Sequence, residues 1–176
     1  MTCGKDHIIQ LKEVWTTYEG ADLPVIKDVT LRIKPGEFVV IGGPNGAGKT
    51  TLLETIAGLL PVVNGSVQVC GHDVIKDGCA ARKKIGYVIQ NFDFHPYTPF
   101  TVEEVVLMGR YGKIGWLKRH SSRDMDKVTS AIHQLGLSLM QKNQIGKLSG
   151  GQQQKVLIAQ NLAKDPEVLL LDEPFS

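Results

Sequence analysis

Residues 43–50 read GPNGAGKT and satisfy the pattern G-x-x-x-x-G-K-[ST]. Glycines at this spacing let a backbone curl until successive N–H groups face inward, and a helix starting behind the loop adds the positive end of its dipole. That arrangement binds phosphate oxygens. Lys49 would reach the outer phosphates, and the Thr50 hydroxyl would ligate Mg2+. The candidate phosphate contacts are therefore Gly43, Pro44, Asn45, Gly46, Ala47, Gly48, Lys49, Thr50 and Thr51.

Two more segments carry chemistry. Residues 167–176, EVLLLDEPFS, end an apolar run on two adjacent carboxylates. Ligands of open parallel sheets gather at the carboxyl ends of strands. Asp172 would there hold the Mg2+ that Thr50 also touches, and Glu173 would point toward a water attacking a terminal phosphate. Residues 148–152, LSGGQ, place Ser149 and the N–H groups of Gly150 and Gly151 at a helix start, which suits either an anion site or a glycine-containing cap.

Positioning these groups requires strands and helices of the right kinds. IIQLKEVWTTY (8–18), VTLRIK (29–34) and GSVQVCG (65–71) alternate with period two and read as strands. FVVIG (38–42) and Val168–Leu171 lack alternation, which predicts strands covered on both faces. Behind the phosphate loop, Leu52, Leu53, Ile56, Leu59 and Leu60 form an apolar stripe on a helix that Pro61 ends. Thr101 and Glu104 form a capping box for the helix TVEEVVLMGRY. A further helix over 122–135 turns Met125, Val128, Ile132 and Leu135 to one face and stops at Gly136, and another follows LSGG to about Ala163.

Composition narrows the class. The chain has 176 residues, 42% hydrophobic and 22% charged, with net charge +2, too small a surplus to argue for nucleic acid. No apolar run approaches the roughly 20 residues of a bilayer span, and the polar start MTCGKDHIIQ lacks the apolar stretch of a signal peptide. The chain is therefore expected in the cytoplasm, and Cys3, Cys70 and Cys79, which form no C-x-x-C pair, read as reduced thiols of a reducing compartment. His72, His95, His120 and His133 show no paired metal-ligand spacing and read as surface or capping residues.

GPNGAGKT, then Gln90 in YVIQN, then LSGGQQQKV, then VLLLDEP occur in an order that resembles the ATP-hydrolysing subunit of an ABC transporter over nearly the whole chain. The resemblance implies an α/β P-loop NTPase core with a mainly parallel sheet flanked by helices, plus an N-terminal antiparallel β subdomain. It assigns residues 1–89 and 160–176 to that core and 90–159 to a helical subdomain. ATP and Mg2+ are the implied cofactors. Gln90 is similar to the family glutamine that reaches Mg2+ and the attacking water, making Glu173, Gln90 and Lys49 the catalytic set and Thr50, Gln90 and Asp172 the metal set. Ser149, Gly150, Gly151 and Gln152 would face an ATP held by a second copy of the chain. Tyr18 resembles the aromatic that stacks on adenine, with Trp15 as its competitor and a packed strand tyrosine as the plainer reading.

Phe92, Phe94, Tyr97 and Phe100 fit either a small core or a groove receiving an integral membrane permease over roughly Phe92 to Tyr111. TVEEVVLMGRYGKIGWLKR is similar to the branch that imports manganese, zinc or iron chelates, in which an extracytoplasmic solute-binding protein also takes part. The chain would then sit peripherally on the inner face of the membrane. Family members continue past LLLDEP to a loop aspartate and a switch histidine, so a C-terminally truncated chain is expected. A fragment that binds ATP without turning it over, and a soluble ABC ATPase outside transport, are the alternative readings.

Overall fold

The structure, a computed structural model, describes residues 6–18, 20, 23–89, 94–115 and 118–173. Gln90, Phe92 and Cys3 lie outside them. The chain divides into two compact units, residues 1–85 and 86–176.

The first unit is built on a four-stranded sheet. Strands β1 (Ile9–Thr16), β2 (Ile26–Ile33), β3 (Val62–Val69) and the short β4 (His72–Asp73) run in the order β2-β1-β3-β4, each pair antiparallel. Helix α1 (Lys49–Ile56) and helix α2 (Gly78–Lys84) complete the unit. In β1 the buried positions are Ile9, Leu11, Val14 and Thr16, so the parity changes mid-strand. The cause is a bulge: Glu13 has φ 46°, its N–H bonds the Thr30 hydroxyl at 3.1 Å, and the pairing registers shift between Leu11 and Val14. One extra residue in a strand moves everything after it to the opposite face. Thr16 and the positions beyond it are therefore set by the bulge.

Two expectations fail in this unit. FVVIG forms no strand; among the described residues nothing pairs with it, and Phe38 and Val40 are 89% and 77% exposed. An apolar strand gains its burial from partners at both edges and cover on both faces, and without them its side chains remain in water. The stripe expected on α1 is also different. Thr51, Leu53, Thr55 and Ile56 are buried, Leu59 is exposed, and the helix stops at Ile56 before a left-handed Gly58 rather than at Pro61. The inward face is half threonine because it lies against the polar Thr16 of β1.

In the second unit, strands β5 (Ile85–Val88) and β6 (Val168–Leu171) form a two-stranded sheet. The helices are α3 (Val102–Met108), α4 (Tyr111–Ile114), α5 (Ser122–Gln134) and α6 (Gly150–Ala163). Both faces of β6 were expected to be covered, yet Leu169 is 38% exposed while Val168 and Leu170 are buried. The Thr101–Glu104 capping box forms as expected, with Thr101 N–H to Glu104 Oε2 at 2.7 Å and Glu104 N–H to the Thr101 hydroxyl at 3.3 Å. On α5, Val128 and Ile132 are buried, Met125 and Leu135 pack half-buried beside them, and Gly136 (φ 69°) follows the helix.

Val102, Val105, Val106, Val128, Ile132, Leu137, Ile145, Val156 and Ala159 make one apolar core. Fully burying an aliphatic side chain of this size contributes about 1.5–3 kcal/mol. Among the described aromatics of the 92–100 stretch, only Phe94 reaches that core. Phe94 packs half-buried against it, whereas Tyr97 and Phe100 are exposed.

Arg110 ties three helix ends together. Its Nε and Nη2 donate to Asp124 Oδ1 at 3.0 and 2.8 Å, and its Nη1 donates to the Ala163 carbonyl at 3.0 Å. Asp124 Oδ2 in turn caps α5, accepting from the Ser121 hydroxyl at 2.7 Å and the Ser121 N–H at 2.9 Å. These Ser121 bonds first, and Arg110 after them, hold the Asp124 carboxyl down to about 2.

Candidate functional site

The phosphate loop lies in the first unit. Gly46 and Gly48 have φ 81° and 84°, left-handed values that L side chains avoid, so the curl of the loop depends on glycine at both. Ala47 N–H donates to the Pro44 carbonyl at 3.2 Å, closing the turn, and α1 begins at Lys49 directly behind it. Lys49 Nζ reaches back across the loop and donates to the carbonyls of Gly43 at 3.0 Å and Pro44 at 3.1 Å. A cation held by carbonyl dipoles over an exposed ring of backbone is placed to exchange those weak partners for charged phosphate oxygens. Gly43, Pro44, Asn45, Gly46 and Ala47 are all exposed, and a side chain added at Gly46 would meet nothing within 4 Å. Thr50 follows Lys49 in the first turn, half-buried, and Thr51 is buried.

Tyr18 stands beside the same helix. Its hydroxyl and that of Thr51 are 2.9 Å apart, while the residue stays 41% exposed. Behind it the Thr55 hydroxyl donates to the Thr51 carbonyl at 2.6 Å and lies in hydrogen-bond contact with the Thr16 hydroxyl at 3.2 Å, stitching α1 to β1. Trp15, the competing aromatic, lies on the other parity of the strand after the bulge, opposite Asn64 of β3. Of the two aromatics, Tyr18, just past the end of β1, is the one joined to the phosphate-loop helix.

The carboxylates lie in the second unit. Asp172 is 3% exposed at the end of β6; its N–H donates to the Val88 carbonyl at 3.0 Å, and the Tyr87 hydroxyl is 3.5 Å from Oδ2, the outer limit of a hydrogen bond. Glu173 has φ 43°. Left-handed backbone at a glutamate costs of order 1 kcal/mol, and such conformations cluster where a side chain must be aimed. Tyr87 N–H also donates to Asn161 Oδ1 at 2.9 Å, which anchors β5 to α6.

The LSGGQ segment opens α6 as expected, with Ser149 at the N-cap. Gln152 Oε1 accepts from the Ser149 N–H at 2.9 Å, so that side chain serves the cap. Gly150 and Gly151 are exposed, and an added Cβ at either would meet nothing within 4 Å. Packing inside the chain therefore gives no reason for glycine there.

Gln153 was not singled out by sequence reasoning. It is 6% exposed, its Oε1 accepts from Phe94 N–H at 3.0 Å, and its Nε2 donates to the carbonyls of Ile145 and Leu148 at 3.2 Å each. Glutamine beside another glutamine at a helix start reads as a solvated residue, and no sequence signal marks it as buried. Among the described residues no group of three His, Cys, Asp or Glu side chains is arranged to hold a metal ion.

The family model described as "ABC transporter" matches residues 26–176. The manganese transport system ATP-binding protein MntB of Bacillus subtilis is 40% identical over 168 residues, covering 96% of this chain and 65% of its own length. The zinc transport system ATP-binding protein TroB of Treponema pallidum is 40% identical over 169 residues, covering 96% of this chain and 61% of its own length. Among solved structures, an ATP-binding cassette of an ABC transporter in its ADP conformation superposes with TM-score 0.78 at 26% identity, covering 97% of this chain and 70% of that one. The chain thus spans less than two thirds of the length of these two curated relatives.

Proposed function

Since the chain belongs to the ABC transporter family, we propose that it forms the ATP-binding and ATP-hydrolysing part of a metal importer, with manganese or zinc as cargo. The observation that carries the nucleotide reading is Lys49 drawn over the glycine loop by the Gly43 and Pro44 carbonyls. The metals come from what the relatives' names say they transport.

In this reading residues 1–89 and 160–176 are the nucleotide core and 90–159 the helical subdomain. Gly43 to Thr51 hold the phosphates of ATP, and Tyr18 stacks on the adenine. Thr50, Asp172 and Gln90 supply oxygen ligands suited to Mg2+, which when bound neutralises charge on the phosphate oxygens. Asp172 fits that role as a nearly buried carboxylate, and Thr50 as a hydroxyl in the turn after the loop. Glu173 accepts a proton from the attacking water, and Gln90 orients the same water. Preorganised positioning of these groups, rather than covalent chemistry, supplies the catalysis.

Ser149, Gly150, Gly151 and Gln152 bind the phosphates of an ATP held by a second copy. The open space at both glycines supports a close approach from outside the chain. The segment from Phe92 to Tyr111 meets a membrane permease, and the exposed Tyr97, Phe100 and Tyr111 support that surface. An extracytoplasmic solute-binding protein delivers the cargo. No helix of the described residues is long and apolar enough to cross a membrane. In this reading the permease holds the chain at the inner face.

Uptake of radioactive manganese and zinc in cells with the gene intact and with Lys49→Ala tests the reading. Loss of uptake of one metal is expected. Unchanged uptake of both, with the altered protein present, overturns the metal assignment.

A further inference from the structure

Two stretches of the second unit run along each other. The Ile145 N–H donates to the Phe100 carbonyl at 2.8 Å, the Val102 N–H to Asn143 at 3.0 Å and the Glu103 N–H to Gln141 at 3.1 Å, with a bridge between Thr101 and Gln144. Gly146 lies so close that an added Cβ would sit 2.5 Å from the carbonyl oxygens of both His95 and Pro96. The segment from Phe94 to Glu103 and the segment from Gln141 to Leu148 are thereby one stitched ribbon, and the second runs directly into Ser149, Gly150 and Gly151.

Gln153 closes this ribbon at the end nearest the α6 N-terminus. Its amide orientation is dictated by its surroundings, because the oxygen faces one N–H donor and the nitrogen faces two carbonyl acceptors. The bond to Ile145 is buried and those to Phe94 and Leu148 are partly buried, a setting in which such a network is rigid and an unpaired member is costly. Gln153 therefore adds, to the backbone bonds of the ribbon, a side-chain tie between the backbone entering the Ser149–Gly151 turn and the backbone at Phe94.

We infer that Gln153 is a positioning residue that transmits displacement of the Phe94–Phe100 segment to the helix start at Ser149–Gly151. It rests on the reading that Ser149–Gly151 contacts nucleotide and that Phe94–Phe100 meets a partner. In this scheme Gln153 is not among the residues that hold the phosphate loop's own nucleotide. Its loss leaves ATP capture intact and lowers the rate at which captured ATP is hydrolysed.

The test uses the complete protein assembled with its membrane partner in vesicles, comparing wild type with Gln153→Met, which keeps length and loses all three bonds. The expected result is a kcat for ATP lowered about tenfold or more with KM within about twofold. Unchanged kcat overturns the inference. A thermal melt verifies that the variant is folded, and Gln153→Glu, which keeps only the acceptor for Phe94, should be impaired as well.

Hydrogen exchange on the wild type gives an independent arm that needs no variant. A non-hydrolysable ATP analogue should slow exchange in residues 94–101 and 145–151 together, and protection of one stretch without the other sinks the coupling. If the wild type neither binds nor hydrolyses ATP, the proposed function itself has failed. That outcome is separate from a wild type that turns over while Gln153→Met does so equally well.

Discussion

The hydroxyl groups of Tyr18 and Thr51 lie 2.9 Å apart, joining the residue just past β1 to the helix behind the phosphate loop. The bond fixes the ring while leaving it 41% exposed, as a stacking platform requires. Tyr18→Ala should weaken nucleotide binding by about 1–3 kcal/mol, the range for base–aromatic stacking. Tyr18→Phe keeps the ring and should remain within about fivefold of wild type, since a neutral hydrogen bond is worth about 1 kcal/mol or less here. Titration with a fluorescent ATP analogue reads both; equal losses for the two variants would assign the hydroxyl, not the ring.

Lys49→Ala removes the cation that now bridges the Gly43 and Pro44 carbonyls. Binding of ATP should fall below detection in the same titration. Tight binding by this variant would refute the phosphate-loop assignment.

Glu173→Gln in the complete protein should leave ATP affinity unchanged and stop phosphate release. The amide keeps the side chain's size and accepts no proton at neutral pH. Phosphate release at the wild-type rate would remove Glu173 from the reaction.

Asp124 gives a pH prediction. Its folded carboxyl is held down to about 2, below the ordinary 3.8, so it binds its proton later than in the unfolded chain. The stability it contributes is present above the ordinary value and is lost as pH falls from there toward 2. Asp124→Asn should melt at a lower temperature than wild type at neutral pH, and the gap should narrow between pH 4 and 2. A gap constant over that range would contradict the ion-pair and capping role.

Gly109→Ala tests the helical packing. A Cβ there would sit 2.1 Å from the Gln160 carbonyl oxygen, so α3 and α6 would have to separate. Overpacking of this kind costs about 1–3 kcal/mol, read as a lower urea midpoint with unchanged slope.

Much of this was legible in the chain. The phosphate loop, the capping boxes and α5 depend on residues within about four positions of one another, and local spacing encodes them. The exposure of Phe38 and Val40 was not legible, because burial of an apolar strand depends on partners elsewhere and its composition is the same in either case. The threonine-rich face of α1 was missed for a related reason: Thr51 and Thr55 are buried against hydroxyl partners that the period of apolar residues does not reveal. Gln153 was missed because a side chain's burial at a helix start is decided by the loop folded over it.

The bulge at Glu13 makes the residue count between Leu11 and Tyr18 a functional quantity. Deleting one residue there would turn Trp15 to the other face of β1 and shift the point from which Tyr18 leaves the strand, without altering either aromatic. Relatives that keep an aromatic in this strand can therefore differ in which ring they present according to length alone. An engineer grafting this strand onto another cassette has to carry over its odd residue as faithfully as its tyrosine.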